Sequence, residues 1–401
     1  MTNLLLILNA GSSSLKFALF QDHAVNLDRI LSGSIDRIGQ ADSEFKIKST
    51  AGSSVASRHV STEEPASSVE LILAEVRKIS ADSEISAIGH RVVHGGPVFT
   101  APQLVTGKLI DALRDLSPFD PEHLPAEIAL IEDLQRRLPK TPQVACFDTA
   151  FHYDLPRVAQ LLPIPRRYAE AGVRRYGFHG LSYEFLLGEM AQLGESSATK
   201  GRVIFAHLGN GASLAAVRDG HCIDTTMGFT PTAGLVMGSR SGDLDPGLMA
   251  YLAQKEKMSA PQFNRLVNHD SGLRGISETS SDMRELLAHE TADVRAAEAV
   301  TLFCYQAKKW IGSFVAALGG LDALVFSAGI GENCAPVRAR ICDGLGFLGV
   351  ELDGTKNSAN AAIISTAASR VVVRVIRTDE ELMIARHVRD VISSALRQTS
   401  S

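Results

Sequence analysis

The chain has 401 residues, 45 % of them hydrophobic, enough for two or three domains with sizeable cores. Its formal net charge is -5 and no block of like charge occurs, which excludes nucleic acid and anionic membrane as principal partners. The odd number of cysteines (Cys146, Cys222, Cys304, Cys334 and Cys342) and the absence of a CxxC pair point to reduced thiols in a cytoplasmic protein. The first residues carry a short apolar run without a basic flank, so no signal peptide is expected. Trp310 to Ile330 is the most membrane-like run, but Gly319-Gly320 and Asp322 split it into a helix end and a strand.

Leu4 to Leu8 reads as a strand, Asn9 to Ser14 as a small polar turn, and Leu15 to Phe20 as a second strand. The turn matches neither GxGxxG nor a Walker motif, and no helical pattern follows it. Ile30 to Ile38 and Glu44 to Ser49 continue a meander. Val69, Ile72, Leu73 and Val76 recur at helical spacing, which predicts a helix over Ser67 to Lys78. Ile85 to Val93 is a strand broken by His94-Gly95-Gly96-Pro97. Ala126 to Leu138 is a helix, and Gln143 to Phe147 a buried strand that delivers Asp148 at its end. Pro156 to Tyr176 reads as a connection between domains.

After a helix over Ser182 to Leu193, the run Val203 to Leu208 enters Gly209-Asn210-Gly211, and Ala212 to Val217 leaves it. Asp219-Gly220 is a further hairpin signal. The order of VIFAHLGNGASLAAV matches that of LLLILNAGSSSLKFALF, an internal duplication in pattern more than in identity. Helices are expected over Pro246 to Gln254, Ala260 to Val267, Ser281 to Ala288 and Arg295 to Leu318. Ala323 to Ser327 is a buried strand ending in the turn Gly329 to Asn333, Val371 to Ile376 another strand, and Asp379 to Leu396 the closing helix. Meanders followed by alternating helices and strands, twice over, predict an α/β protein of two related lobes with a cleft between them.

Small-residue turns thus follow buried strands at Asn9–Ser14, His94–Gly96, Asp148–Ala150, Gly209–Gly211 and Gly329–Asn333. Strand ends of this kind face ligands in layered α/β folds. Arg91, between strand residues, must be paired or exposed, because an unpaired buried charge is too costly. With Arg240 it makes two arginines near turns, the kind of donor that neutralises a transferring phosphoryl group; a structural ion pair is the plainer reading of Arg91 alone. Asp148 suits a base, a substrate-orienting group, a metal ligand or a helix cap. His179 and His207 suit phosphate donors or core histidines bonded to carbonyls. Asn9 and Glu380 are hard-oxygen donors of the type Mg²⁺ takes. Lys16 reads equally as a solvated edge lysine, and Asp282-Met283-Arg284 as a helix start.

Together these motifs resemble the acetate kinase family over essentially the whole chain. LLLILNAGSSSLKFALF, GHRVVHGG, CFDTAFH, RYGFHGLS, AHLGNGASLAAV, DTTMGFTPTAGLVMGSRSGDLDP, SDMR, FSAGIGEN and TDEEL occur in the family's order. The resemblance implies the duplicated two-lobed architecture shared by acetate and sugar kinases, actin and chaperone ATPases (ribonuclease H-like), with residues 1–150 as one lobe joined by a closing helix at about 383–401, and residues 151–382 as a nucleotide-binding lobe. It implies reversible in-line phosphoryl transfer from ATP to acetate, giving acetyl phosphate and ADP, in a cytoplasmic homodimer. By the same resemblance Asn9 and Glu380 hold Mg²⁺ (or Mn²⁺), and Arg91 binds the carboxylate, which Asp148 orients. His179 and Arg240 stabilise the transferring group. Val93, Phe178 and Pro231 wall the acyl pocket. Lys16, His207, Leu208, Gly209, Asn210, Gly211, Asp282, Met283, Arg284, Gly329, Ile330, Gly331, Glu332 and Asn333 form the nucleotide site.

A carboxylate substrate is already ionised at neutral pH, so Asp148 is expected to position rather than remove a proton. The chain departs from the family pattern Leu-His-Asn-Pro-Ala-Asn at Glu122-His123-Leu124-Pro125-Ala126-Glu127, which bears on acyl-chain preference. Asp379 stands where asparagine often precedes the metal-binding glutamate, and Ala212 replaces a common glycine, which requires a negative φ. Propionate or butyrate kinase activity is the near alternative, and a non-catalytic nucleotide-gated protein of the same fold the distant one.

Overall fold

The computed structural model describes residues 3–11, 14–23, 26–38, 42–49, 55–62, 65–79, 84–194 and 200–399. The chain divides into two compact units, Met1–Ala150 with Asp379–Ser401, and Phe151–Thr378. Residues 379–382, expected with the second lobe, count with the first unit, because the closing helix starts at Glu380 and lies on that unit's sheet.

The first unit is built on β1 (Asn3–Ala10), whose run from Leu4 to Asn9 is buried throughout. A strand that is apolar on both faces belongs in the middle of a covered sheet. On one side β1 pairs antiparallel with β2 (Ser14–His23), which continues through β3 (Asn26–Asp36), β4 (Ser43–Ser49) and β5 (Val55–Val60). On the other side it pairs parallel with β6 (Ile85–Val92), and β6 with β8 (Gln143–Phe147); the short β7 (Gln103–Leu104) closes that edge. Side chains alternate across the sheet. Leu4, Leu6 and Leu8 join a core with Val69, Ile72, Leu73 and Val76 of the helix Pro65–Ile79. The opposite face takes the helix Glu380–Thr399, whose Ile384, Ala385 and Val388 are buried.

The second unit repeats this plan. Its central strand β9 (Arg202–Leu208) pairs antiparallel with β10 (Ala212–Arg218), and β10 with β11 (His221–Thr225). It pairs parallel with β12 (Ala323–Ser327), and β12 with β13 (Val372–Val375). The order β11-β10-β9-β12-β13 therefore matches β3-β2-β1-β6-β8, so the duplication legible in the sequence is a duplication of topology. Asp219 (φ 52) and Gly220 (φ 83) form the tight β10–β11 turn. The helix Val294–Leu318 is capped by Asp293 and ended by Gly319 at φ 74; it packs on β9, β10 and β11.

Several elements differ from expectation. Gly329–Asn333, expected as a turn, lies in a short helix, Ala328–Asn333. The connection Pro156–Tyr176 contains two short helices, Arg157–Gln160 and Arg166–Glu170. β5 and the helices Gly107–Leu116, Gly272–Ser277 and Ala335–Cys342 have no counterpart in the sequence reading. Ser12 and Ser13 of the first turn lie outside the described residues. No helix among the described residues is long and apolar enough to cross a membrane.

At Gly89 on β6 the sheet and the closing helix lie close together. A Cβ there would lie 2.6 Å from Val388, 2.7 Å from Ile384 and 2.9 Å from Ile7. Gly89→Val is therefore expected to lower stability by about 1–3 kcal/mol through overpacking. Chemical denaturation checks this, and an unchanged midpoint at unchanged slope would contradict it.

Candidate active site

In the first unit the parallel strands end on a set of charges. Arg91, near the end of β6, is 13 % exposed in its side chain, and Asp148, just past β8, is wholly buried. Arg91 Nη2 donates to Asp148 Oδ2 at 2.8 Å and Nη1 to the Ala10 carbonyl at 2.7 Å. Burial works against the Arg91 charge, but Asp148, Glu127 and Glu380 outweigh it and hold its pKa above the ordinary value. The expectation that Arg91 is paired is thus met. Asp148 is committed to Arg91, and its own N–H donates to the Val92 carbonyl, tying the two strand ends together.

Asn9 lies at the end of β1, directly beside the start of the closing helix. Its Nδ2 donates to Glu380 Oε2 at 2.8 Å and to Glu381 Oε1 at 2.9 Å. The two residues expected to hold a cation are therefore adjacent. Asp379 turns elsewhere: it accepts from Arg29 and from the Leu382 N–H of the helix's first turn. Lys16 is exposed on β2 and lines a groove of about 300 Å³ with Arg29, Ser34, Lys46 and Glu381, all residues of the first unit.

The segment that departs from the family pattern resolves into two acids of opposite character. Glu122 is exposed, whereas Glu127 is 3 % exposed and faces inward. Glu127 Oε2 accepts from the N–H of Val93, the expected acyl wall, at 2.9 Å. Burial pushes the Glu127 carboxyl up to about 8, against the opposing pull of Arg91 and the Val93 N–H. Sequence reasoning missed this contact, since Glu127 sits in the first turn of the helix Leu124–Arg137, where acids are ordinary.

In the second unit, His179 holds a left-handed backbone (φ 58) at the start of the helix Gly180–Gln192. Its Nδ1 shares a 2.9 Å hydrogen bond with Ser213 Oγ, which in turn bonds Tyr183 Oη at 2.5 Å. The ring stacks on His207 with centroids 4.1 Å apart. His207 is bonded to Ser182 at 2.8 Å, and Ser182 to Thr378 at 2.8 Å. Arg240 Nη1 donates to the Pro231 carbonyl at 2.8 Å. The space between these groups depends on Gly211, where a Cβ would lie 3.2 Å from Arg240 Nη2 and 3.3 Å from His179 Nε2. Gly211 and Gly209 do not adopt positive φ, and neither does Ala212, so the turn exploits close approach rather than a left-handed backbone. Phe178 and Pro231 are buried in this unit, Val93 in the other.

Gly209, Asn210, Asp282, Met283, Arg284, Gly329, Ile330 and Asn333 line one cavity of about 600 Å³, joined by Ser281 and Cys334. That volume suits a small-molecule ligand. Asp282 also caps the helix Met283–His289. His207, Leu208, Gly331 and Glu332, expected at the same site, are not among its lining residues. Glu332 Oε1 accepts from the Ala328 N–H at 2.9 Å and the Thr378 N–H at 3.0 Å. It is Ala328, at φ 64, that takes the left-handed conformation; a Cβ at Gly329 would meet open space. Buried Arg338 donates to the Gly331 carbonyl at 2.8 Å.

Removing an acceptor from two backbone donors exposes their desolvation cost. Glu332→Ala is expected to lower stability by roughly 1–3 kcal/mol, and Glu332→Gln by much less, since one amide oxygen can still accept both bonds. Equal effects in denaturation of the two variants would show that the bonds do not hold the loop.

The acetokinase family model matches residues 4–386. An acetate kinase of Rhodopseudomonas palustris is 44 % identical over 395 residues, covering 97 % of this chain and 98 % of that one. The crystal structure of Porphyromonas gingivalis acetate kinase superposes with a TM-score of 0.87 at 36 % identity, covering 97 % of this chain and 100 % of that one. A propionate kinase from Francisella tularensis gives a TM-score of 0.90 at 36 % identity, covering 97 % and 99 %. A family match of this extent, on a fold and side-chain set of this kind, means that the chain belongs to the acetokinase family.

Proposed function

We propose that the protein is an acetate kinase, transferring a phosphoryl group reversibly between ATP and acetate. The observation that carries the reading is Arg91: a mostly buried cation anchored by Asp148 and the Ala10 carbonyl, next to the apolar Val93. A guanidinium has five N–H donors, and these two bonds use only part of its fork. It therefore suits a small carboxylate whose methyl group rests on an apolar wall.

The acceptor needs no base, because acetate is ionised at neutral pH. What needs management is charge, since an anion must approach a phosphate. On this reading Arg91 binds the carboxylate and Asp148 fixes the fork's orientation. His179 and Arg240 donate to the transferring phosphoryl group, with Gly211 leaving them room. The Nδ1 bond to Ser213 fixes the His179 ring, so that Nε2 faces the reacting side. The 600 Å³ cavity takes the nucleotide. Asn9, Glu380 and Glu381 form a set of hard oxygens and one amide, which fits a divalent cation that keeps several waters. Mg²⁺ (or Mn²⁺) held there would neutralise phosphate charge. Lys16, in the first unit, is assigned to the same nucleotide. The protein is further assigned to the cytoplasm, supported by its free cysteines. A homodimer is supported by exposed apolar side chains along one segment, Tyr153, Val158, Ile164 and Tyr168.

Propionate is the second acid to test, because the propionate kinase structure superposes as well as the acetate kinase one. One methylene is worth only about 1–3 kcal/mol of discrimination. ADP release coupled to an indicator reaction, with acetate, propionate and butyrate in turn, is expected to be fastest with acetate. Intact ATP binding without turnover of any acid would sink the reading. Arg240→Ala is expected to lose about 10³-fold in kcat while ATP affinity holds; an undiminished kcat would remove Arg240 from the transition state.

A further inference from the structure

Glu127 is a buried acid that the proposed mechanism does not use. Its Oε2 is engaged by the Val93 N–H at 2.9 Å. Its Oε1 is buried and has no hydrogen-bond partner among the described residues, and lies 3.9 Å from Arg91 Nη1. A charged carboxylate in such a position would be expected to draw a full hydrogen bond from the nearby guanidinium. Arg91 instead spends its bonds on Asp148 and the Ala10 carbonyl. With no donor on Oε1, one side of the carboxyl lacks the hydrogen bond that would offset the cost of burying its charged form.

The groups facing Glu127 are Arg91 from β6, Asp148 from the end of β8, and Asp120, itself bonded to His123, from the turn before the helix Leu124–Arg137. Two of the three charges are negative. Ionising Glu127 would put a further negative charge beside the arginine to which the substrate carboxylate is assigned. Between buried groups like charges repel strongly. The position carries asparagine in the family pattern, a side chain that cannot ionise.

We propose that Glu127 is a positioning residue that holds the Val93 N–H and, while protonated, leaves Arg91 to the substrate carboxylate, and that its ionisation opposes binding of that carboxylate, setting an upper pH limit on acid binding. The proposal rests on the reading of Arg91 as the carboxylate-binding group. The location of the titration follows from the carboxyl being pushed up to about 8 by burial.

The test compares wild type with Glu127→Gln, a neutral mimic of the protonated acid, in acetate saturation curves from pH 6.5 to 9. In wild type KM for acetate is expected to rise up to about tenfold between pH 7 and pH 9, for an acid titrating near 8, with kcat changing less. The Gln variant is expected to keep its neutral-pH KM across the range. A purely structural role would shift both parameters at every pH and leave the two profiles parallel; parallel profiles overturn the proposal. Infrared difference spectra decide it independently of turnover. A protonated-carboxyl band present in wild type at pH 6.5, lost as the pH passes 8 and missing from Glu127→Gln, supports it. The lack of such a band in wild type overturns it. Absence of turnover with every carboxylate would overturn the kinase reading alone, because the infrared titration still reports on Glu127. Should the Gln variant fail to fold, Glu127→Asn replaces it in both measurements.

Discussion

The first unit depends on keeping one cation inside a sheet. Arg91 stands on β6 between buried neighbours, and desolvation alone would favour losing its charge or expelling the side chain. Two parts of the chain prevent this. β1 supplies a carbonyl, and the end of β8 supplies Asp148. The parallel pairing of β1, β6 and β8 is what brings these ends together. A buried pair of this kind is weak evidence for added stability, since desolvation offsets much of the attraction. Its value lies in a fixed direction for the guanidinium fork.

The second unit meets a different constraint, that of close approach. The turn at the end of β9 has glycine where the Arg240 and His179 side chains approach it. Around it, hydrogen bonds run in chains: Tyr183 to Ser213 to His179, and Thr378 to Ser182 to His207. Glu332 extends the second chain, since it accepts from Thr378 as well as from Ala328. Such chains fix imidazole tautomers and ring planes. They also allow Ala328 to persist in a left-handed conformation that costs energy on its own.

Much of this was legible from residue order. β1, β9 and β12 are continuous apolar runs, and a run of that kind has few alternatives to a covered central strand. The need for an Arg91 partner follows from burial cost alone. Adjacency of Asn9 and Glu380 could only be inferred by resemblance, because 371 residues separate them. β5 escaped notice because Val55–Val60 lacks an apolar alternation and lies at a sheet edge, where pairing demands little burial. The short helix Ala328–Asn333 was hidden by its glycines, which read as a turn; side chains from Glu332, Asn333 and Arg338 hold the backbone instead. Glu122 is the first residue of the divergent segment and is exposed, whereas Glu127, about a helix turn later, is the acid that points inward. No local pattern marks it, because its partners are strand atoms 34 or more residues away.

On the proposed reading the reaction poses a problem of charge rather than of proton transfer. Asp148 is wholly buried and committed to Arg91, a poor arrangement for a base and a good one for an orienting group. Arginine and a divalent cation keep their charge across the physiological range, so groups of that kind would make turnover indifferent to pH near neutrality. Glu127 is the exception beside Arg91. It lies at the same strand end, its oxygens are unequally satisfied, and the environment opposes its ionisation. The Arg91 end of the site thereby acquires a titrating member, placed where an added negative charge opposes the binding of an anion.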